Sequence, residues 1–334
     1  MLRFLLRRLA FVLLVLFGIT LITFVLERVV PGDPARLLAG TRASQQVVNQ
    51  VSKSLGLNRP LLVQYGLYMS DLAHGNLGIS IVTRNPVTHD LVQYFPATLE
   101  LIIYAMFFGI VIGVLIGVVS ASRGGKTDVV GETIATTSLS IPVFWLAILL
   151  QFLFYSRLHL LPVSGRLNPG VSPPHTITGM YTIDALLEGN IPLFLDALAH
   201  IVLPAVSLMV PEVGLVAKTV RASMLEVLGR DYVRAAQAKG LTRWRVYFRH
   251  ALRNALLPAV TVMGLEFGLL ISGTVLVETI YSWPGLGSYT DQAIASSDYD
   301  AIMGVTIVVA VAYVVVNMLV DVLYAYLDPR VRLT

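Results

Sequence analysis

Cysteine is absent from this sequence, so disulfides, thiolate metal sites and cysteine nucleophiles are excluded. Charge is scarce as well. Asp, Glu, Lys and Arg make up 13% of the residues, against about 25% in an ordinary soluble domain. The six histidines, His74, His89, His159, His175, His200 and His250, lack the spacing of a metal-binding helix. A site built from His159, His175 and His200 has no pattern to support it, and no metal site is expected. No nucleophile lies in a recognisable arrangement with a base, so no catalytic residue is assigned. A nucleotide-binding loop is missing too. Gly125-Lys126-Thr127 has the right ending, but Ser120 stands where the first glycine belongs, and an apolar run precedes it where a strand is needed. Repeats, low-complexity tracts and the inverted halves of a secondary transporter are not visible.

What the chain has in abundance is apolar surface. Hydrophobic residues make up 56% of it and the mean hydropathy is +0.75. A spanning helix needs roughly 20 mostly apolar residues. Six runs meet that length, at about Leu9–Val29, Ala97–Ser120, Thr133–Tyr155, His200–Val220, Leu256–Tyr281 and Ala301–Leu327. The expected fold class is therefore an all-α membrane protein with six transmembrane helices. The first run follows Arg3, Arg7 and Arg8. It is too long for a signal-peptide core and no small-x-small cleavage site follows it, so it reads as an uncleaved anchor.

Orientation follows from where the basic residues fall. With the N-terminus inside, the inner segments hold 16 of the 24 Lys and Arg residues. Six of the remaining eight are Arg28 and five in the long first loop, where the rule has little force. The other outer loops hold only Arg157 and Arg166. Both termini are thus expected in the cytoplasm. The net charge of +4 is read as this topology signal rather than as a nucleic-acid surface.

The expected organisation is a first transmembrane helix over 1–30, an extracytoplasmic subdomain over 31–96, and a five-helix core over 97–334 that includes a cytoplasmic coupling segment at 222–258. Within the subdomain, Ser44 can cap a helix stopped by Gly56, Pro60 can start another ending near Gly75, and Gly78–Val82 alternates weakly enough for a short strand. The second outer loop, Arg157–Asp196, is rich in Pro and Gly and is expected to carry little regular structure.

Small residues recur every fourth position in two spans: Gly109, Gly113 and Gly117 in the second, and Gly264, Gly268 and Ser272 in the fifth. Such faces let helices approach closely in lipid. They serve either internal packing or an interface with a second subunit. Pro204 and Pro211 should kink the fourth span. A carboxylate at mid-bilayer costs about 2.5–3.5 kcal/mol on insertion scales unless paired or wet. Glu212 and Glu266 lie near the middle of their spans. They either line a water-filled pathway that contacts cargo or hold helices together.

The segment between the fourth and fifth runs is polar, basic and regular. Leu225, Leu228, Tyr232 and Ala236 fall at helical steps in what reads as one helix from Met224 to Lys239. Ala235 and Ala236 keep part of its surface low, so that a partner groove can close over it. Gly240 permits a left-handed turn, and Thr242 can cap a following helix bearing Trp244, Tyr247 and Phe248. A basic helix lying on an anionic leaflet explains the arginines, but not the small-residue face and the glycine turn together.

The stretch Tyr232-Val233-Arg234-Ala235-Ala236-Gln237-Ala238-Lys239-Gly240-Leu241-Thr242, followed by Arg249-His250-Ala251-Leu252-Arg253-Asn254-Ala255-Leu256-Leu257-Pro258, resembles the cytoplasmic loop of binding-protein-dependent ABC importer permeases. The B-type subunit of the dipeptide/oligopeptide/nickel group is the nearest likeness. Further matches are Pro31-Gly32-Asp33-Pro34, Leu55-Gly56-Leu57-Asn58-Arg59-Pro60, Gly75-Asn76-Leu77-Gly78 and Pro96-Ala97-Thr98-Leu99-Glu100. Ser140-Ile141-Pro142-Val143-Phe144-Trp145, the run Glu278-Thr279-Ile280-Tyr281-Ser282-Trp283-Pro284-Gly285-Leu286-Gly287 and Leu327-Asp328-Pro329-Arg330 complete the series. One departure is Arg234, which stands where the family pattern has Glu.

The resemblance implies a multi-pass subunit of a bacterial cytoplasmic (inner) membrane importer that is not itself an enzyme. Its implied partners are a second homologous permease subunit, two ABC ATPase subunits, an extracytoplasmic substrate-binding protein and the lipid bilayer, with no nucleic acid. ATP and Mg would be bound by the ATPase subunits, leaving no cofactor in this chain. Tyr232, Arg234, Ala235, Ala236, Lys239, Gly240 and Leu241 would couple to the ATPase. Peptides are the implied cargo, with nickel chelates or glutathione-like solutes as alternatives. A self-sufficient secondary transporter would need Glu212 and Glu266 as an ion site, and an intramembrane enzyme would need paired catalytic groups that are not found.

Overall fold

The structure, a computed structural model, describes residues 14–25, 35–36, 43–54 and 56–327. Much of the first expected span, the Pro31–Pro34 match and the match after Leu327 lie outside the described residues. Among those described, every regular element is helical. The expected Gly78–Val82 strand is not formed. The chain makes only an isolated bridge there, between Ile79 and Pro86.

The described residues group into two compact units, one of 95–288 with 312–327 and one of those between 14 and 94 with 289–311. In the second unit, α1 (Leu14–Val25) meets α3 (Leu61–Ala73). Tyr65 on α3 hydrogen-bonds Thr20 at 3.0 Å and packs edge-on against Phe24 at 5.2 Å. Between them in the chain comes α2 (Gln45–Ser54), which begins just after Ser44, whose hydroxyl accepts the Val47 N–H at 3.5 Å. Gly56 and Gly75, both at positive φ, follow the ends of α2 and α3. The turn after α3 is held by two buried carboxylates. Asp298 accepts from the Ser80 hydroxyl at 2.6 Å and the Ile81 N–H at 2.7 Å. Asp90 accepts from Thr83 at 2.5 Å and from Tyr289 at 3.0 Å.

The long helices are α4 (Val87–Arg123), α8 (Ile191–Leu228), α10 (Arg243–Ile280) and α12 (Tyr299–Leu327). At 1.5 Å per residue a 38-residue helix such as α8 is about 57 Å long, against a hydrocarbon layer of about 30 Å. Helix α8 starts nine residues before the expected span because the Asn190 side chain accepts the Leu193 N–H at 3.1 Å and Pro192 occupies the first turn. It runs on through Pro204 and Pro211, which each remove a donor without ending it.

The expected third span is not one straight helix. Helices α5 (Gly125–Ser140) and α6 (Val143–Arg157) meet at 97°. The break falls at Ile141–Pro142, where the proline lacks an N–H and forces Ile141 into an extended conformation (φ −82°, ψ 121°). Counting that pair as one broken span, five candidate spans occur among the described residues; counted apart, four.

The core of the larger unit lies where α4, α8 and α10 meet, with Val118, Val216, Val220, Met224, Ala251 and Ala255 almost fully buried. Glycine makes this possible. A Cβ at Gly113 would stand 2.7 Å from Val216 Cβ, and one at Gly117 would stand 2.8 Å from the Ala217 carbonyl. Gly264 and Gly268 of α10 face Val320, Asn317 and Tyr313 of α12 in the same way. Both glycine faces lie against helices of the same chain.

The stretch from Arg157 to Asp196 holds more regular structure than its composition suggests. A short helix α7 (Tyr181–Leu187) forms before α8 begins. Its fully buried Asp184 accepts from the N–H groups of Thr178 at 2.8 Å and Gly179 at 2.9 Å and from the Thr178 hydroxyl at 2.7 Å. A carboxylate gathering three bonds from two loop residues supplies the order that apolar periodicity could not announce.

Candidate coupling surface and membrane carboxyl pair

The basic segment after α8 folds in two pieces, so the single helix expected from Met224 to Lys239 is not formed. Helix α8 ends at Leu228, Gly229 caps it, and Arg230 turns extended (φ −76°, ψ 147°) before α9 (Asp231–Ala238). Met224 belongs to the buried core of α8. Gly240, at φ +77°, makes the left-handed turn, and α10 follows with Thr242 at its start. The Thr242 side chain makes no capping bond.

One face of α9 packs inward. Val233 and Ala236 cluster with Val246, and Leu228, Leu241 and Tyr247 close around them. Ala236 was expected on the partner-facing surface; it is 7% exposed and belongs to this internal cluster. The face left open carries Tyr232, Arg234, Ala235 and Lys239, with Gly240 beyond them. Asn254 of α10 donates to the Tyr232 hydroxyl at 2.7 Å, which ties this outward face to the long helix. Trp244, 69% exposed, packs against Phe248 with centroids 3.9 Å apart and the rings tilted by 31°. Residues Val246–Ala251 are wound as a π-helical stretch at the base of α10, a rare feature that often marks functional sites.

Sequence reading missed an ion-pair cluster beside this segment. Arg221 of α8 grips Asp128 of α5 with both forks of its guanidinium, Nε–Oδ1 at 2.5 Å and Nη2–Oδ2 at 2.7 Å, and reaches Glu132 at 3.3 Å. Ser120 donates to the same Asp128 at 2.6 Å. Ser120, Glu132, Arg221 and Lys218 line a cavity of about 280 Å³. Read along the chain, Arg221 looks like a topology charge. Only the crossing of α5 and α8 gives it a partner.

The two mid-span glutamates come together. Glu212 on α8 is 2% exposed, and its carboxyl oxygens have no hydrogen-bond partner among the described residues other than the Glu266 carboxyl. Glu266 on α10, half-buried, is the charged group beside it. Gly109 of α4 makes room: a Cβ there would stand 2.7 Å from Glu212 Cγ.

At the other end of the same unit, two motifs read separately in the sequence form one network. Thr98 donates to Glu278 at 2.6 Å, and Glu278 accepts the Ser288 N–H at 2.9 Å, in the first turn of α11 (Leu286–Ala295). The Trp283 indole donates to the Ala97 carbonyl at 3.0 Å. A Cβ at Gly285 would stand 2.5 Å from both Glu278 Oε1 and Thr98 Oγ1, so no larger residue fits the turn. Nearby, buried Arg166 pairs with Glu100 at 2.6 Å and lies 3.5 Å from the Tyr181 ring centroid.

Among the described residues no cluster of His, Cys, Asp or Glu could hold a metal ion.

Comparison with known proteins agrees over the whole length. Residues 109–333 match the family described as binding-protein-dependent transport system inner membrane component, and residues 1–102 match its N-terminal region. A probable D,D-dipeptide transport system permease protein of Escherichia coli K12 is 46% identical over 319 residues, covering 95% of this chain and 94% of that one. The dipeptide transport system permease protein DppB of Alkalihalophilus pseudofirmus is 43% identical over 333 residues, covering 99% and 100%. DppB of Escherichia coli K12 is 44% identical over 336 residues, covering 99% of each. Among solved structures, a chain of the inward-facing MetNI methionine ABC transporter matches with a TM-score of 0.53 at 18% identity, over 72% of this chain and 96% of that one. That likeness speaks to the fold alone.

Proposed function

The chain belongs to the binding-protein-dependent transport system inner membrane component family, and from that premise we propose that it is one half of the translocation pathway of an ATP-driven peptide importer. It is a membrane subunit, not an enzyme. The cargo assignment rests on the dipeptide permeases that match it almost end to end at 43–46% identity. Those names favour peptides over nickel chelates, glutathione-like solutes and a self-sufficient secondary transporter.

In this reading six helices cross the inner membrane with both termini in the cytoplasm, as the distribution of Lys and Arg requires. The first crosses within 1–30, residues 31–96 form the extracytoplasmic subdomain, and 222–258 is the coupling segment. A second homologous permease completes the pathway. Two ABC ATPase subunits bind ATP and Mg and hydrolyse it, and an extracytoplasmic binding protein delivers cargo to the outer loops.

The observation that carries the coupling role is the split character of α9. Val233 and Ala236 fasten it to α10, while Tyr232, Arg234, Ala235, Lys239 and Gly240 remain open and Leu241 is half-covered. A partner that moves the open face must move α10 as well, because the fastened face and the Tyr232–Asn254 bond leave no slack. Packed helices switch between discrete arrangements rather than deforming, so a small displacement at α9 suffices to change access along α8 and α10. Arg234, where the family pattern has Glu, leaves shape-based docking through Ala235 and Gly240 as the basis of the contact. Glu212 and Glu266 are assigned to the pathway.

The test is co-purification and reconstitution. This chain should bring ATPase subunits with it, and proteoliposomes containing the complex and its binding protein should take up dipeptides only with ATP. Uptake by this chain without ATP would instead support a secondary transporter.

A further inference from the structure

Glu212 and Glu266 present a problem that the packing of the chain does not solve. A buried polar group is normally hydrogen-bonded, and an orphaned one costs free energy. The buried oxygens of Glu212 meet no donor among the described residues other than the neighbouring Glu266 carboxyl. Its neighbour across the helix boundary is another carboxyl group, which makes matters worse, since like charges side by side away from water cannot both persist. The α4 residues against it, with Gly109 closest, bring no charge to it, and Glu266 is the only charged group it senses among the described residues. Helix packing alone would be served better by two apolar side chains. What the pair lacks is one positive charge with N–H or O–H donors.

We propose that Glu212 and Glu266 form a mid-membrane cation site that holds one proton between them at rest and receives the primary ammonium group of a cargo molecule in transit. The proposal rests on the peptide-importer reading. An ammonium carries three donors and no acceptor, enough to satisfy both oxygens of Glu212 and one of Glu266. When it arrives, the shared proton leaves to water and two carboxylates face one added positive charge; when it departs, a proton returns. Charge balances at each end of the cycle. Glu266 is the reachable member, being half-buried, and Glu212 the anchored one, wedged against Gly109.

The experiment uses the complete complex with its partner permease, ATPase subunits and binding protein in proteoliposomes. Dipeptide uptake and ATP hydrolysis are measured together for wild type, Glu212→Gln, Glu266→Gln and Glu266→Asp, and infrared spectra in H₂O and D₂O report any protonated carboxyl. Glutamine keeps the shape and removes the charge, so uptake per ATP should fall about tenfold, the scale of losing one charged hydrogen bond, while ATP hydrolysis stimulated by the binding protein persists. Glu266→Asp should recover most of the uptake. The wild-type carboxyl band should shift in D₂O and vanish in Glu212→Gln. Unchanged uptake per ATP in both glutamine variants overturns the proposal even if the band is present, because the pair would then hold a proton and nothing more. Absence of the band overturns the resting-state half. A wild-type complex that hydrolyses ATP but takes up no dipeptide would fail the peptide-importer reading, a result distinct from either.

Discussion

Thr98 donates its hydroxyl hydrogen to Glu278 at 2.6 Å and accepts the Leu286 N–H at 2.7 Å, so one side chain joins the start of the second apolar run to the turn after the fifth. Both residues are essentially fully buried. Replacing Thr98 by valine keeps the volume and leaves Glu278 and the Leu286 N–H each short of a partner. The expected cost is about 1–3 kcal/mol, read as a lower midpoint in thermal unfolding of the detergent-solubilised complex. Thr98→Ser should recover most of it.

The glycine face of α4 makes a second prediction. Gly113→Leu drives a side chain into Val216 and the Val213 carbonyl. Overpacking of this kind costs typically about 1–3 kcal/mol. Because the face packs within the chain, the variant should lose folded yield even when this subunit is expressed alone. Loss of partner assembly with normal folded yield would assign the face to a subunit interface instead.

The Arg221–Asp128 pair predicts a coupling that single variants would hide. Arg221→Ala, Asp128→Ala and the double variant form a cycle, and residues in direct contact are coupled in such a cycle. The double variant should therefore be less damaging than the two single effects added together. Additive effects in thermal unfolding would show that the bidentate contact contributes nothing.

Acid should loosen the loop before α8. Burial pushes the Asp184 carboxyl up, but hydrogen bonds from Thr178, Ile177 and Gly179 outweigh it and hold the group below its ordinary value. A carboxyl lowered on folding stabilises above its unfolded pKa of about 3.9 and loses that contribution as pH falls through the lowered folded value. Residues 177–184 should thus stay protected at neutral pH and lose protection, measured against the intrinsic exchange rate at each pH, below about pH 4. In Asp184→Asn that acid-dependent step should disappear.

Much of this was legible in the sequence, and the exceptions share a cause. Apolar run length located α4, α8, α10 and α12, and Gly56, Gly75 and Gly240 marked turns that do take positive φ. Spacing also put Glu212 and Glu266 at similar depth, though not in contact. What failed was local. Ile141-Pro142 breaks a run that hydropathy reads as continuous, because hydropathy does not register a missing N–H. Helical periodicity carried straight through Gly229 and Arg230, where the chain turns. Ala235 and Ala236 both read as a low surface open to a partner, yet Ala236, on the apolar stripe, faces Val246 while Ala235 faces out. Asp128–Arg221 and Glu100–Arg166 join residues far apart in the chain, and no short-range pattern announces them.

That difference between Ala235 and Ala236 gives the most direct test of the coupling surface. The chain contains no cysteine, so Ala235→Cys and Ala236→Cys each place a single thiol in a clean background. In the assembled importer, Ala235→Cys should cross-link to a cysteine in the ATPase groove, with a yield that changes on nucleotide binding, and Ala236→Cys should not. No cross-link from Ala235→Cys in a complex that still transports, or equal cross-linking from both positions, would contradict the account.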